Sequence, residues 1–310
     1  MRRDVLMVQL EYLIALARER HFGQAATACN VSQPTLSVAI RRLERTLGVV
    51  IVHRGRRFDG FTAEGMRVLA WAHRILAERD ELLTDVERMR GRLTATARIG
   101  AIPTSVPASP LLTERFLAQN PAASVRIDAL SSREIASRLA RFEIDAGLTY
   151  LDQETPPGYR CVELYRERYV LIAPASDPLM RAAEVEWAQA AALRLCALTP
   201  TMRNRRIIDA YMAAEGIRAR PVVEADTVGA LYAHLKGLRL ATIASTAWLP
   251  AFGVPDGMVV RPIAYSGPGP AIGLILRNPE QQTIIGDALE AAAAELNFDE
   301  MFSAALGQWI

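Results

Sequence analysis

Ser32, Gln33, Pro34, Thr35 and Ser37 stand within six residues of one another, and Arg41 and Arg42 follow one helical turn later. Amide and guanidinium side chains can bridge base edges in a DNA major groove, and short hydroxyls can reach phosphate oxygens. A second cationic group, Arg54, Arg56 and Arg57, surrounds Gly55 in a basic turn suited to a sugar-phosphate backbone. The charge of the whole chain is distributed to match. Its 310 residues carry a net charge of only +2, yet residues 1–60 hold ten arginines against five acidic residues. Residues 61–92 balance at six of each, which leaves the remainder net negative. Such asymmetry predicts a small domain facing a polyanion and a larger one facing something else.

Elements that hold these residues on one face can be read from the apolar spacing. Leu10, Leu13, Ile14 and Ala17 share one face of a first helix, and Phe22 to Cys29 fit a second, shorter one with small residues at Ala25 and Ala26. Asn30-Val31-Ser32 makes a turn whose serine can cap the next segment, and Pro34 is tolerated in a first helical turn. A third helix over about 33–47 buries Leu36, Ile40, Leu43 and Leu47 and leaves Gln33, Thr35, Ser37, Arg41, Arg42 and Arg45 outside. Val49 to Val52 then reads as a strand leading into the basic turn. Three helices with a polar last helix, followed by a wing, predict a winged helix-turn-helix over 1–61 that lays its third helix in the major groove.

At these residues the sequence resembles the LysR-type transcriptional regulators. The resemblance rests on Phe22-Gly23-Gln24-Ala25-Ala26, Val31-Ser32-Gln33-Pro34-Thr35-Leu36-Ser37, Ile40-Arg41-Arg42-Leu43-Glu44, Leu47-Gly48-Val49 and Thr62-Ala63-Glu64-Gly65, in that order and spacing. In the wing this chain has Val52-His53-Arg54 where the family often has an aromatic residue before the arginine. The resemblance implies a dimer or tetramer on double-stranded DNA with a dyad-symmetric site, RNA polymerase as a further partner, and a C-terminal domain like the periplasmic binding proteins.

Residues 62–90 contain no proline and a single glycine, Gly65, in the first turn, with Thr62 placed to cap a single long helix. Val68, Ala72, Ile75, Arg79, Leu82, Val86 and Met89 recur in steps of four and three, the seam of a two-helix coiled coil. The seam predicts dimerisation through Val68, Ala72, Ile75, Leu82, Val86 and Met89, with Arg79 fixing register or pairing with Asp80, Glu81 or an acid of the partner helix.

From 93 to 310 strands and helices alternate, which predicts parallel α/β units arranged as two lobes joined by two crossings, near Tyr165-Arg166 and near Ala264 to Pro270. Lobe I is expected at about 97–165 and 267–300, lobe II at about 166–266. A ligand in such a fold lies at strand ends, among loops and helix N-termini. The loops that meet there offer Thr104 and Ser105, Ser131, Thr149, then Thr199, Thr201, Met202 and Arg203, and finally Thr227. Hydroxyls, free N–H groups and one guanidinium suit a small anionic effector such as a carboxylate, and no cofactor is expected. The family's usual pocket coincides with Thr104, Ser105, Thr149 and Thr201. The stretches Ile99 to Thr104, Asp145 to Tyr150 and Leu198 to Arg206 also look like members encoded beside formate dehydrogenase operons, which would make formate the effector.

Other classes fit less well. The chain has no G-x-G-x-x-G, P-loop, H-E-x-x-H or G-x-S-x-G motif, and its four histidines are scattered, so an enzyme is not expected. Three widely spaced cysteines, Cys29, Cys161 and Cys196, indicate neither a disulfide framework nor a metal site. Cys161 and Cys196 leave a redox-sensing regulator open as an alternative. A stand-alone solute-binding protein would explain the lobes but not the basic helix-turn-helix. No apolar run approaches the span of a membrane helix and no signal-peptide core follows Met1, so the cytoplasm is the expected location.

Overall fold

The computed structural model describes residues 5–53, 58–90, 93–152, 157–264 and 267–310. They fall into two compact units, one running to Thr94 and including Ala140–Glu143, the other made of Ala95–Leu139 and Ile144–Ile310.

The first unit opens with α1 (Met7–Glu19), α2 (Phe22–Ala28) and α3 (Gln33–Leu47). Ser32 caps α3 by accepting the Thr35 N–H at 3.2 Å, and Gly48, at φ 74°, ends it in the left-handed conformation that favours glycine. Leu10, Leu13 and Leu16 of α1 meet Ala25 and Ala26 of α2 and Leu36, Ile40 and Leu43 of α3 in one core. The expected strand at 49–52 reduces to a single bridge between Val52 and Phe61, because the backbone amides of Ile51 and Val52 turn inward to the buried carboxylate of Glu44 instead.

The long helix is α4 (Ala63–Met89), capped by Thr62, whose Oγ1 accepts the Gly65 N–H at 2.8 Å. A side chain at Gly65 would put its Cβ 2.0 Å from the Ile51 carbonyl oxygen, so only glycine lets α4 start this close to the preceding segment. The first half of α4 packs on its own unit: Leu69, Ala72 and Leu76 are core residues, and Val68 packs against them. Within the expected seam, Ala72 is fully buried in the chain's own core and Val68 is half-buried against it, and Arg79 reaches back to Glu11 of α1 as well as to Asp80. Ile75, Leu82, Val86 and Met89 remain exposed, joined by Leu83.

The second unit holds two sheets of matching design. In lobe I, β1 (Thr96–Ala101), β2 (Ser124–Ala129), β3 (Ala146–Tyr150) and β4 (Tyr159–Arg166) are joined by a late strand, β10 (Ala271–Arg277), in the order β2-β1-β3-β10-β4. In lobe II, β5 (Tyr169–Pro174), β6 (Cys196–Leu198), β7 (Val223–Ala225), β8 (Thr242–Ser245) and β9 (Met258–Pro262) form a β8-β5-β9 sheet and a β6-β7 pair. A parallel bridge from Leu195 to Ala241, with Cys196 N–H to Ala241 O at 2.8 Å, stitches the two pieces together beside β8. Each lobe thus has three parallel strands, then an antiparallel strand delivered by a crossing, so the sheets are mixed and not purely parallel. The chain crosses from β4 to β5 and returns from β9 to β10. The crossings are tied by backbone bonds, with Glu167 N–H to Pro270 O at 2.9 Å and Ile263 N–H to Tyr169 O at 3.1 Å.

The helices of this unit are α5 (Ser109–Gln119), α6 (Ser132–Ala140), α7 (Trp187–Ala191), α8 (Arg203–Ala214), α9 (Val228–Leu238), α10 (Leu249–Phe252), α11 (Ile284–Ala294) and α12 (Phe298–Gly307). Phe298 and Phe302 of α12 pack on Tyr165 at the first crossing, which gives the C-terminal segment a docking place its sequence does not reveal.

Candidate nucleic-acid interface and effector cleft

On α3 the apolar face is committed to the core, and Ser32, Gln33, Pro34, Thr35, Arg41 and Arg42 are exposed, with Ser37 half-buried. Ser32 and Thr35 share a hydrogen bond between their hydroxyls at 2.8 Å, so the same two side chains that start the helix stand at its leading end. Val38 is 57% exposed on this face and escapes a reading that assigns apolar residues to the core. Its place on the helical period beside Thr35 and Arg42 is the available signal, and a valine there suits a thymine methyl. Arg54, Arg56 and Arg57 lie outside the described residues. Beneath the exposed face, Glu44 accepts Ile51 N–H at 2.8 Å and Val52 N–H at 3.2 Å and so ties the end of α3 to the segment that leads into the wing.

In the second unit the strand-end residues gather at the crossings. Thr104 and Ser105 are buried after β1, and the Ser105 hydroxyl donates to Ile102 O and Leu148 O. Thr149 on β3 is buried and donates to the Ser132 hydroxyl at 2.8 Å. From lobe II, Thr199 and Thr201 pair at 2.8 Å and lead into α8, whose N-cap, Met202, has no side-chain acceptor for the first amides. Arg203 follows, paired with Asp152 just after β3, its guanidinium 5.6 Å from the Tyr150 ring centroid. This places Arg203 where the two lobes meet.

Two expected residues serve elsewhere. Ser131 is exposed, and its hydroxyl and N–H both bond Glu134 at the start of α6. Thr227 is exposed and caps α9 by accepting the Ala230 N–H at 3.1 Å. Both stand exposed at helix starts, which they cap.

The centre of the cleft is a residue that the sequence does not single out. Glu167, on the first crossing, is fully buried, and its Oε2 accepts Tyr169 Oη–H at 2.7 Å, Tyr150 Oη–H at 2.9 Å and Asn204 Nδ2–H at 3.2 Å. Burial pushes the Glu167 carboxyl up, partly offset by these donors. Burial also pushes the phenols of Tyr150 and Tyr169 well up, with the nearby Glu167 charge adding to it. Trp248, from the segment before α10, donates its indole N–H to Thr104 O at 2.9 Å, a further bond between the lobes. A lone glutamate between two arginines looks like surface charge. Only the alternation Tyr165, Glu167, Tyr169 hints that its side chain points inward.

An α3 with a cationic exposed face and a two-lobed α/β unit with a polar cleft define a ligand-responsive DNA-binding regulator. The chain belongs to the LysR family of bacterial transcriptional regulators. Residues 7–66 match the family model "Bacterial regulatory helix-turn-helix protein, lysR family", and residues 90–295 match "LysR substrate binding domain". The chain is 29% identical over 287 residues to the "DNA-binding transcriptional dual regulator OxyR" of Escherichia coli, covering 86% of this chain and 88% of that one. It is 33% identical over 171 residues to a "Hydrogen peroxide-inducible genes activator" of Haemophilus influenzae, covering 54% of this chain and 56% of the relative. In fold it is similar to a full-length OxyR variant from Pseudomonas aeruginosa, at TM-score 0.74 and 22% identity over 95% of this chain and 96% of the other. It is also similar to full-length CbnR in complex with its target DNA, at TM-score 0.66 and 22% identity over 94% and 99%. Among these relatives nothing supports the formate dehydrogenase subgroup, and formate is set aside. The family is one of regulators, not enzymes. Among the described residues no helix is long and apolar enough to cross a membrane.

Proposed function

We propose that this LysR-type regulator reads a dyad-symmetric DNA site with Gln33, Thr35, Arg41 and Arg42, with Ser32, Pro34 and Ser37 shaping the leading end of α3. Arg54, Arg56 and Arg57 of the wing hold the flanking phosphates. The cleft between the lobes takes a small anion, such as a carboxylate, and the lobe movement this causes alters the geometry of the paired DNA-binding units and access for RNA polymerase.

The observation that carries the effector reading is the pairing of Arg203 with the Asp152 carboxylate at the cleft, next to the uncapped amides of α8. A guanidinium that already holds one carboxylate there has the geometry for another, and the incoming anion replaces Asp152. Thr104, Ser105, Thr149, Thr199 and Thr201 supply hydroxyls around it, with Met202 on the wall. Calorimetric titration of the full chain with short mono- and dicarboxylates tests this. One of them is expected to bind, and Arg203→Ala is expected to abolish that binding. Binding unaffected by Arg203→Ala, or no binding by any carboxylate, overturns it.

The relatives named as peroxide-inducible activators raise the redox alternative for Cys161 and Cys196. The thiols weigh against it: Cys196 is buried and its thiol raised to about 11, and the thiol of Cys161, though exposed, is raised as well, away from the thiolate that reacts with peroxide. Cys161 lies on β4 of lobe I and Cys196 on β6 of lobe II, in separate sheets.

A further inference from the structure

Glu167 gathers donors from both lobes onto a single oxygen. Tyr150 comes from β3 of lobe I, while Tyr169 on β5 and Asn204 on α8 belong to lobe II. Asn204 Nδ2 also lies 3.3 Å from the Tyr150 hydroxyl, so the two lobes touch directly at this carboxylate. All three donors fall on Oε2, so any proton of the carboxyl sits on Oε1, and Oε2 as an acceptor fixes the Asn204 amide with its nitrogen toward Glu167. Opening the cleft must take Tyr150 or Asn204 off that oxygen and admit water to the carboxyl.

We propose that Glu167 is the positioning residue that holds the two lobes in their closed register, and that lobe closure is linked to its ionisation. The proposal rests on the contacts between the lobes and stands whether or not the effector is an anion. The groups that bear on Glu167 are the phenols of Tyr150, Tyr165, Tyr169 and Tyr211, the Asn204 amide and the Ser245 hydroxyl, with the Arg203 guanidinium 5.6 Å from the Tyr150 ring centroid. In the closed form burial outweighs the donors and holds the carboxyl above its ordinary range. In the open form water returns it toward the ordinary glutamate value. The closed form therefore keeps its proton to higher pH, and closure weakens as pH rises through the interval between the two values.

Hydrogen–deuterium exchange on the full chain tests this between about pH 5 and about pH 8, corrected for intrinsic exchange. Peptides over 146–152 and 199–206 are expected to lose protection as pH rises, by up to about tenfold per pH unit, the limit for one linked proton. Peptides from β10 are expected to hold constant. Glu167→Gln keeps an acceptor but cannot ionise, and its profile is expected to be flat. Should that variant fail to fold, Tyr150→Phe removes only the lobe I donor and is expected to lower protection of both segments at the acid end. A wild-type profile indifferent to pH, a Glu167→Gln profile that follows the wild type, or full protection in Tyr150→Phe overturns the proposal.

Discussion

The carboxylate of Glu44, buried on α3, accepts the backbone N–H of Ile51 at 2.8 Å. One side chain therefore links the reading helix to the segment entering the wing, and no strand ladder is needed to do it. Removing it strands two buried amides. Glu44→Ala is expected to destabilise the first unit by about 2–3 kcal/mol, measured by urea unfolding, with Glu44→Gln costing less because one acceptor remains.

Gly65 makes the same junction possible from the other side. With the Cβ of an added methyl 2.0 Å from the Ile51 carbonyl, Gly65→Ala must push α4 away from its cap. The expected loss is about 3 kcal/mol, in the range of overpacking a closed interface. The same unfolding experiment reads it, and a neutral substitution would mean that the helix start is looser than described.

The α4 stripe predicts two different failures. Leu82 and Leu83 are 64% and 58% exposed, whereas Ala72 is fully buried against the chain's own core. Leu82→Asp is expected to dissociate the dimer in sedimentation velocity while leaving the monomer folded. Ala72→Asp is expected to unfold the first unit instead, since it buries an unpaired charge.

Thiol chemistry separates the redox alternative from the effector reading. With its thiol raised to about 11 and its strand buried, Cys196 is expected to react with a disulfide reagent at neutral pH only after unfolding. The wild type and Cys161→Ser/Cys196→Ser are both expected to bind DNA unchanged on peroxide treatment. Loss of promoter binding on peroxide treatment that the double variant abolishes would restore the redox-sensing reading.

Much of this architecture is legible in the sequence because local rules and packing agree there. The three helices of the first unit follow from apolar spacing, the Ser32 cap and Gly48, and the two crossings from the order of strands. What the sequence hides depends on distant partners. Val68 and Ala72 continue the 3.5 period of Leu82 and Met89, and only packing on the rest of the first unit decides that they turn inward. Glu167 carries the residue type of surface charge, and its burial is set by Tyr150 and Asn204, 17 and 37 residues away. Ser131 and Thr227 illustrate the reverse: hydroxyls at strand ends that the adjoining helices use as caps.

The central claim is that α3 reads a specific duplex. It is tested most directly by binding of the full chain to DNA flanking its own gene and to a scrambled duplex of equal length, over a series of salt concentrations. The specific duplex is expected to bind at least about a thousandfold tighter at physiological salt, with affinity falling steeply as salt rises. Gln33→Ala, Arg41→Ala and Arg42→Ala are each expected to cost about 1–3 kcal/mol on the specific duplex alone. Equal affinity for the two duplexes at every salt concentration would contradict the account.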